Sequence, residues 1–272
     1  MMRYQLHPCP HTKADYVVLV SGLGGHGAFW QPQLQALTAH FHVLCYDQEG
    51  CDVTDSLLPD DYCMRHLSQQ LFNLLDHLNI TRFHVIGHAL GGFIAAELLP
   101  LIQNERLEML SLTVINGWYK LDPHTTKCFK TRMALLQHAG TAAYIQAQAL
   151  FLYPPAWISA HITQIQQAEQ QQQQYFPAVH NVLQRLTALM NYQICATTAE
   201  LMHQMPLLLL ANRDDFLVPY QQTEQLFQQF PHAQMQLFPS GGHASTVTQS
   251  AQINVLLIQF LQRVKAEMKF RM

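Results

Sequence analysis

The sequence VIGHALGG, residues 85–92, joins an apolar run, Phe83–Gly87, to an apolar segment, Phe93–Leu99. The run has the composition and length of a buried β-strand, and the segment is typical of a buried helix. Glycines on both sides of the connection permit the sharp strand–turn–helix elbow that presents a nucleophile in one large class of α/β enzymes. The centre of this elbow is Ala89, and its methyl group cannot act as a nucleophile.

Similar short apolar runs alternate with helix-like segments through most of the chain. Continuous apolar runs are expected for strands that are buried on both faces of a parallel sheet. The alternation therefore predicts an α/β fold, a mostly parallel sheet with helices on both faces. The predicted strands are Tyr16–Val20, His42–Tyr46, Phe83–Gly87, Leu112–Asn116, Pro206–Ala211 and Gln234–Phe238.

The pattern changes between Trp118 and Met205, where helical segments follow one another and no strand-like run occurs. Connections in compact folds are usually about 4–6 residues long, so this segment is too long to be a simple loop. We predict that residues 1–118 and 206–272 form the core and that residues 119–205 form an inserted helical lid.

An acid and a histidine follow two later strands. Asp215 comes after Pro206–Ala211, and His243 comes after Gln234–Phe238. Taken alone, Asp215 is compatible with an ordinary turn residue, and His243 is one of 16 histidines. Together with the elbow, however, they stand in the chain order of the α/β-hydrolase triad, each just past the end of a strand. We therefore predict the α/β-hydrolase fold, with His243 and Asp215 beside Ala89.

A glycine-rich loop, GLGGHG at residues 22–27, directly follows the first predicted strand, and Asp47 lies twenty residues beyond it. This spacing matches the dinucleotide fingerprint, which requires a helix to begin inside the glycines. Pro32 favours a later helix start. We therefore favour an oxyanion hole, in which the backbone N–H groups of Leu23 and Leu90 face developing negative charge.

Composition excludes several classes of function. A net charge of −3 gives no polycationic surface for nucleic acid, and no apolar run is long enough to span a bilayer. The N-terminal residues lack a signal-peptide pattern, and the six cysteines show no CxxC spacing, so we expect a cytoplasmic protein with reduced thiols. His40 and His42 have no carboxylate at useful spacing, so no metal site is predicted. The oligomeric state stays open, a homodimer included.

Six segments resemble the RutD family of the α/β-hydrolase superfamily: VSGLGGHGAFW, CYDQEG, VIGHALGG, VINGW, FLYP and LFPSGGHA. The resemblance runs through most of the chain. It implies a role in bacterial pyrimidine breakdown and hydrolysis of a C–N bond in carbamate or 3-aminoacrylate. Alanine at the elbow also occurs in this family, which argues that Ala89 is natural. Glu49 is a departure, because the wider superfamily often carries arginine there.

Without a serine no acyl-enzyme can form, so the remaining groups must act on water. We hypothesise that His243, oriented by Asp215, activates a water molecule in the space left by the missing hydroxyl group. The expected ligand is a small-molecule substrate, and no cofactor is expected. Weaker candidates for substrate contact, for which simple packing is the alternative, are His26, His88, Trp118 and Lys120, the last as the partner of a substrate anion.

Three rival functions remain. Ala89 is compatible with a non-catalytic protein that binds a metabolite or a partner protein. The same His/Asp pair could support cofactor-free lyase or dioxygenase chemistry. The loop at residues 22–27 leaves a nicotinamide oxidoreductase as the third and least favoured reading.

Overall fold

The computed structural model describes residues 3–11, 13–103 and 105–269. Within this part of the chain, seven strands form one sheet in the order β1-β3-β2-β4-β5-β6-β7. All neighbouring strands are parallel except β1 and β3, which are antiparallel. The mostly parallel sheet that the sequence predicts is therefore confirmed. In chain order the strands are β1 (Tyr4–His7), β2 (Tyr16–Val20), β3 (His42–Tyr46), β4 (Arg82–His88), β5 (Glu108–Ile115), β6 (Leu207–Asn212) and β7 (Gln234–Phe238).

Helices cover both faces of the sheet. Two clusters of buried apolar side chains lie on opposite sides of the strands, because successive strand residues point to opposite faces. No helix in the described ranges combines the length and apolar character needed to cross a membrane. The helices are α1 (Gln31–Thr38), α2 (Met64–His77), α3 (Leu90–Ile102), α4 (Pro123–Ala134), α5 (Gly140–Leu152), α6 (Pro155–Ala160), α7 (Ile162–Gln174), α8 (Val179–Asn191), α9 (Ala196–His203), α10 (Tyr220–Gln229), α11 (Ser245–Thr248) and α12 (Ser250–Lys269).

The strand predictions differ from the structure mainly at β1 and β5. β1 is absent from the predictions because its sequence, YQLH, alternates polar with apolar residues and lies largely exposed at the sheet edge. β5 begins at Glu108, four residues earlier than predicted, and Asn116 lies beyond its end. Asn116 has a φ of 54°, a left-handed conformation that no strand residue adopts.

The segment between β5 and β6 holds six helices, α4–α9, and one π-helical turn at Leu135–Ala139. Buried polar side chains of α8 fasten this segment to the loops of the core. The amide of Asn181 accepts a hydrogen bond from the N–H of Leu58 at 2.9 Å and donates one to the carbonyl of Ser56 at 2.9 Å. The helices α4–α9 therefore lie against the carboxyl ends of the strands, where the site residues are found.

Candidate active site

The elbow between β4 and α3 has a strained backbone. Ala89 has φ 46° and ψ −111°, a conformation that residues other than glycine rarely adopt. Neighbouring glycines permit it: a Cβ atom on Gly87 would lie 2.4 Å from the backbone of Gly91, and one on Gly91 would lie 2.0 Å from the carbonyl of Val20. The protein thus keeps the geometry that presents a nucleophile while carrying a methyl group there.

His243 and Asp215 form a buried pair. Nδ1 of His243 lies 2.8 Å from Oδ2 of Asp215, and both side chains are almost fully buried. The other carboxylate oxygen of Asp215 accepts hydrogen bonds from the N–H groups of Leu217 and Val218, each at 2.9 Å. Because Nδ1–H of His243 donates its hydrogen bond to the carboxylate, Nε2 carries the lone pair and can accept a proton. This is the arrangement of a general base with its orienting acid.

The loop that carries His243 is held at its backbone. The carbonyl oxygen of His243 accepts hydrogen bonds from Nδ2 of Asn116 at 2.6 Å and from Nε2 of His88 at 2.8 Å. On the other side, the carboxylate of Asp214 accepts the N–H of Gly242 at 2.9 Å. These contacts fix the position of the imidazole.

His88 is a neutral supporting residue. The pKa of His88 is lowered to about 3. Burial is the larger cause, and the neighbouring His243 lowers the pKa further. Since Nε2 donates to a carbonyl, Nδ1 carries the lone pair, and it has no hydrogen-bond partner among the described residues. The ring packs between Phe29 and His243, with centroid distances of 4.9 and 4.8 Å.

A cavity of about 340 Å³ lies between the core and α4–α9. Most of the predicted site residues line it. These are Leu23, His26, His88, Ala89, Trp118 and His243. Asp215 is buried behind His243. Leu90 is the first residue of α3, so its N–H has no acceptor within the helix. The oxyanion role of Leu23 and Leu90 stays a prediction.

The cavity lining does not support the expected contact of Lys120 with a substrate anion, and that role stays a prediction. Lys120 is exposed on the turn between β5 and α4 and does not line the cavity. Trp118, by contrast, is buried and packs against Phe93 and Phe129, with centroid distances of 4.7 and 6.0 Å.

Two buried arginines in the helical segment, Arg132 and Arg185, line the cavity and are missing from the sequence predictions. Arg185 donates to the carbonyls of Leu23 at 3.0 Å and Glu49 at 2.9 Å, and to Oε1 of Gln48 at 2.5 Å. It thereby fixes the glycine-rich loop that carries Leu23. Neither arginine belongs to a local motif, so only the fold shows where they lie.

His26 belongs to a small polar cluster at the cavity wall. Its Nδ1 lies 3.8 Å from Oδ2 of Asp47 and 3.7 Å from Sγ of Cys51. Contact with Asp47, and to a smaller extent with Cys51, raises the pKa of His26 to about 10, although burial acts to lower it. Burial raises the pKa of Asp47, but His26, the N–H of Gly27 and Arg3 outweigh it and lower that pKa to about 2.

The same cluster bears on metals and cofactors. The ligand atoms of His26, Asp47 and Cys51 lie within 4.8 Å of one another, a spacing that could surround a metal ion. The carboxylate of Asp47 is already engaged, however, by Nε of Arg3 at 3.0 Å and by the N–H of Gly27 at 2.8 Å. These contacts already occupy the carboxylate oxygens that would have to bind the ribose of a dinucleotide. A 3₁₀ turn follows the glycines, and α1 begins only at Gln31.

Comparisons with known proteins agree with this geometry. A profile described as "Alpha/beta hydrolase family" matches residues 17–254. A protein from Acinetobacter baylyi named "Putative carbamate hydrolase RutD" is 55% identical over 261 residues, 96% of this chain and 98% of its own. One of the same name from Pseudomonas savastanoi pv. phaseolicola is 42% identical over 260 residues, again 96% of this chain and 98% of its own.

Solved structures show the same fold at lower identity. A hydrolase from Pseudomonas aeruginosa PA01 superposes with a TM-score of 0.80 at 24% identity, covering 95% of this chain and 93% of its own. The enol-lactonase from Burkholderia xenovorans LB400 gives a TM-score of 0.81 at 19% identity, with 96% of each chain covered. The matched profile and the RutD relatives agree with the elbow and the His–Asp pair. The chain therefore belongs to the alpha/beta hydrolase family and, within it, to the RutD family.

Proposed function

We propose that this protein hydrolyses a C–N bond in a small, unstable product of pyrimidine breakdown. The candidate reactions convert carbamate to ammonia and CO2, or 3-aminoacrylate to malonic semialdehyde and ammonia. The observation that carries the proposal is the braced His243–Asp215 pair, because His243 lines the same cavity as the methyl group of Ala89. The RutD relatives are named as carbamate hydrolases, which supports the carbamate reaction.

In the proposed mechanism, water occupies the space that a serine hydroxyl group would fill at Ala89. Nε2 of His243 takes a proton from this water molecule while the water oxygen forms a bond to the substrate carbon. In the carbamate reaction, backbone N–H groups of Leu23 and Leu90 stabilise the carboxylate oxygen that gains negative charge. The proton then passes from His243 to the substrate nitrogen, the C–N bond breaks, and ammonia leaves.

The two substrates differ in the carbon that reacts. In carbamate, water adds to the carboxylate carbon, and expulsion of ammonia leaves bicarbonate, the hydrated form of CO2. In 3-aminoacrylate, the enamine first tautomerises to an imine, and water then adds to the carbon that bears nitrogen. Loss of ammonia from that adduct leaves the aldehyde of malonic semialdehyde. Both reactions consume one water molecule and need no redox step.

The size of the available rate enhancement selects the class of substrate. Losing a triad nucleophile typically reduces turnover by about 10⁶-fold, whereas general acid–base catalysis contributes about 10²–10⁴-fold. The contribution of acid–base catalysis alone is too small to hydrolyse a stable amide or ester at a useful rate. It is sufficient for a compound that already decomposes in water, as both candidate substrates do.

The direct test measures ammonia release from freshly generated carbamate and, separately, from freshly generated 3-aminoacrylate. We expect release faster than in buffer for at least one substrate, and no release from a stable amide such as acetamide. Protein that matches buffer with both substrates would refute the proposal. If it nevertheless bound them, it would be a non-catalytic binding protein, the function that Ala89 alone favours.

A further inference from the structure

Arg132 on α4 is a buried cation with unused hydrogen-bond donors. Its side chain lines the cavity, and the residue is only 5% exposed. Nη2 donates to the hydroxyl of Tyr144 at 3.2 Å and to Oε1 of Gln148 at 2.5 Å. Nε is buried without a partner, and Nη1 makes no hydrogen bond to any described residue. At least two donor groups of the guanidinium are therefore free.

Within the part of the chain that the structure describes, no acid forms an ion pair with this charge. None of the described residues that line the cavity is an aspartate or a glutamate, and Arg132 forms no ion pair within the described ranges. Its guanidinium carbon lies instead 5.5–5.9 Å from the ring centroids of three aromatic residues, Phe129, Tyr144 and Phe151. Aromatic faces attract a cation, but they provide no acceptor for the free N–H groups. A buried charge without a partner is unfavourable, so an anion bound in the cavity would stabilise the guanidinium.

The other nearby cations do not compete for this role. Arg185 is held by two backbone carbonyls and the amide oxygen of Gln48, and it serves the glycine-rich loop. Lys120 is exposed and is not among the residues that line the cavity. His26 is paired with Asp47.

We propose that Arg132 binds the carboxylate of the substrate, at a position separate from the carbon that reacts at His243. The inference rests on the proposed function and names the residue that recognises the anion. Arginine suits the task because its planar fork matches the two oxygens of a carboxylate. The hydroxyl of Tyr144 accepts from Arg132, so its own hydrogen is free to donate to the same carboxylate.

The placement separates two kinds of substrate. Arg132 belongs to α4, whereas Ala89 and His243 belong to the core, so the proposed anion contact and the reacting carbon involve different elements that line one cavity. The proposal therefore requires a substrate whose carboxylate is attached through further carbons, so that one molecule contacts both groups. In carbamate the carboxylate carbon is itself the reacting carbon. Loss of Arg132 should therefore weaken the binding of longer carboxylates more than that of carbamate.

Binding of an inert carboxylate tests this inference without requiring turnover. The probes are propionate and its neutral isostere propionamide, with affinity measured by ligand-observed NMR and by the shift in Tm. We expect propionate to bind the wild-type protein and propionamide to bind at least about tenfold more weakly, as expected for a charge-assisted hydrogen bond.

Three variants complete the test. Arg132→Met should weaken propionate binding by about tenfold or more and abolish the Tm shift, with no effect on propionamide. Arg132→Lys keeps the charge but loses the fork, and we expect an intermediate affinity. Lys130→Met is the matched control, because it removes a positive charge from an exposed position on the same helix and should bind propionate like wild type.

The contradicting results are equally specific. Equal binding of propionate and propionamide by the wild-type protein would overturn the inference, as would unchanged propionate affinity in folded Arg132→Met protein. If Arg132→Met does not fold, unchanged affinity in Arg132→Lys would overturn it instead. Because these assays involve no reaction, their failure is distinct from a failure to release ammonia. If turnover is observed, Arg132→Met should raise KM for 3-aminoacrylate more than it lowers kcat.

Discussion

Replacing Ala89 with serine should create esterase activity. The backbone already holds the strained φ of 46°, so the substitution adds one hydroxyl group without requiring a change of conformation. Ala89 lines the cavity together with His243, whose Nδ1 is already 2.8 Å from Asp215. The new hydroxyl would therefore enter a site whose base and orienting acid are in place.

The expected size of the gain follows from what the site already contains. A complete triad nucleophile is worth about 10⁶-fold, which sets the upper limit. Proton removal by a positioned base accounts for about 10²–10⁴-fold of such effects. We expect Ala89→Ser to hydrolyse 4-nitrophenyl acetate about 10²–10⁴ times faster than wild type, a lowering of the barrier by about 3–5 kcal/mol.

Stopped-flow detection of 4-nitrophenolate provides the assay. Ala89→Ser should give a burst that approaches one equivalent per active site, and mass spectrometry should locate an acetyl group on the elbow peptide. Adding His243→Ala to the same protein should abolish the burst. Ala266→Ser, on the exposed face of α12, is the matched control and should behave like wild type. A folded Ala89→Ser protein with neither burst nor rate gain would refute the assignment of the elbow.

The remaining predictions concern single side chains. Asp215→Asn cannot hold the Nδ1–H tautomer of His243, so it should lose most of the ammonia-release enhancement while staying folded by circular dichroism; an unchanged rate would contradict the proposed pair. His26 has a pKa raised to about 10, so it stabilises the fold fully below about pH 6.5 and less as pH rises toward 10. Urea titrations should show a smaller stability loss over that range for His26→Gln than for wild type, and parallel curves would count against the Asp47 contact. Lys120→Met should leave propionate affinity unchanged, and a tenfold loss would favour Lys120 over Arg132 as the anion partner.

The sequence predicts those parts of the fold that have strong local signals. Tyr16–Val20 and His42–Tyr46 are apolar throughout or nearly so, and their bounds in the structure agree with the prediction. The edge strand Tyr4–His7 lacks such a signal, because pairing with β3 on one side leaves much of it exposed. Its formation depends on a neighbour that is distant in sequence.

The site divides in the same way. His243 and Asp215 can be found because each follows a predicted strand, and parallel strands bring their ends together at one edge of the sheet. Arg132 and Arg185 cannot be found from local sequence, because they lie on helices whose approach to the core depends on tertiary packing. Lys120 shows the opposite case: it is close in sequence to Trp118, yet it is exposed and does not line the cavity.

The pair of rates that most directly tests the role of His243 is ammonia release by wild-type protein and by His243→Ala, each measured against buffer with the same fresh substrate. His77→Ala, at an exposed position at the end of α2, is the matched control. We predict that wild type and His77→Ala accelerate release equally, by about 10²–10⁴-fold, and that His243→Ala falls to the buffer rate. Acceleration that survives in His243→Ala would contradict the account.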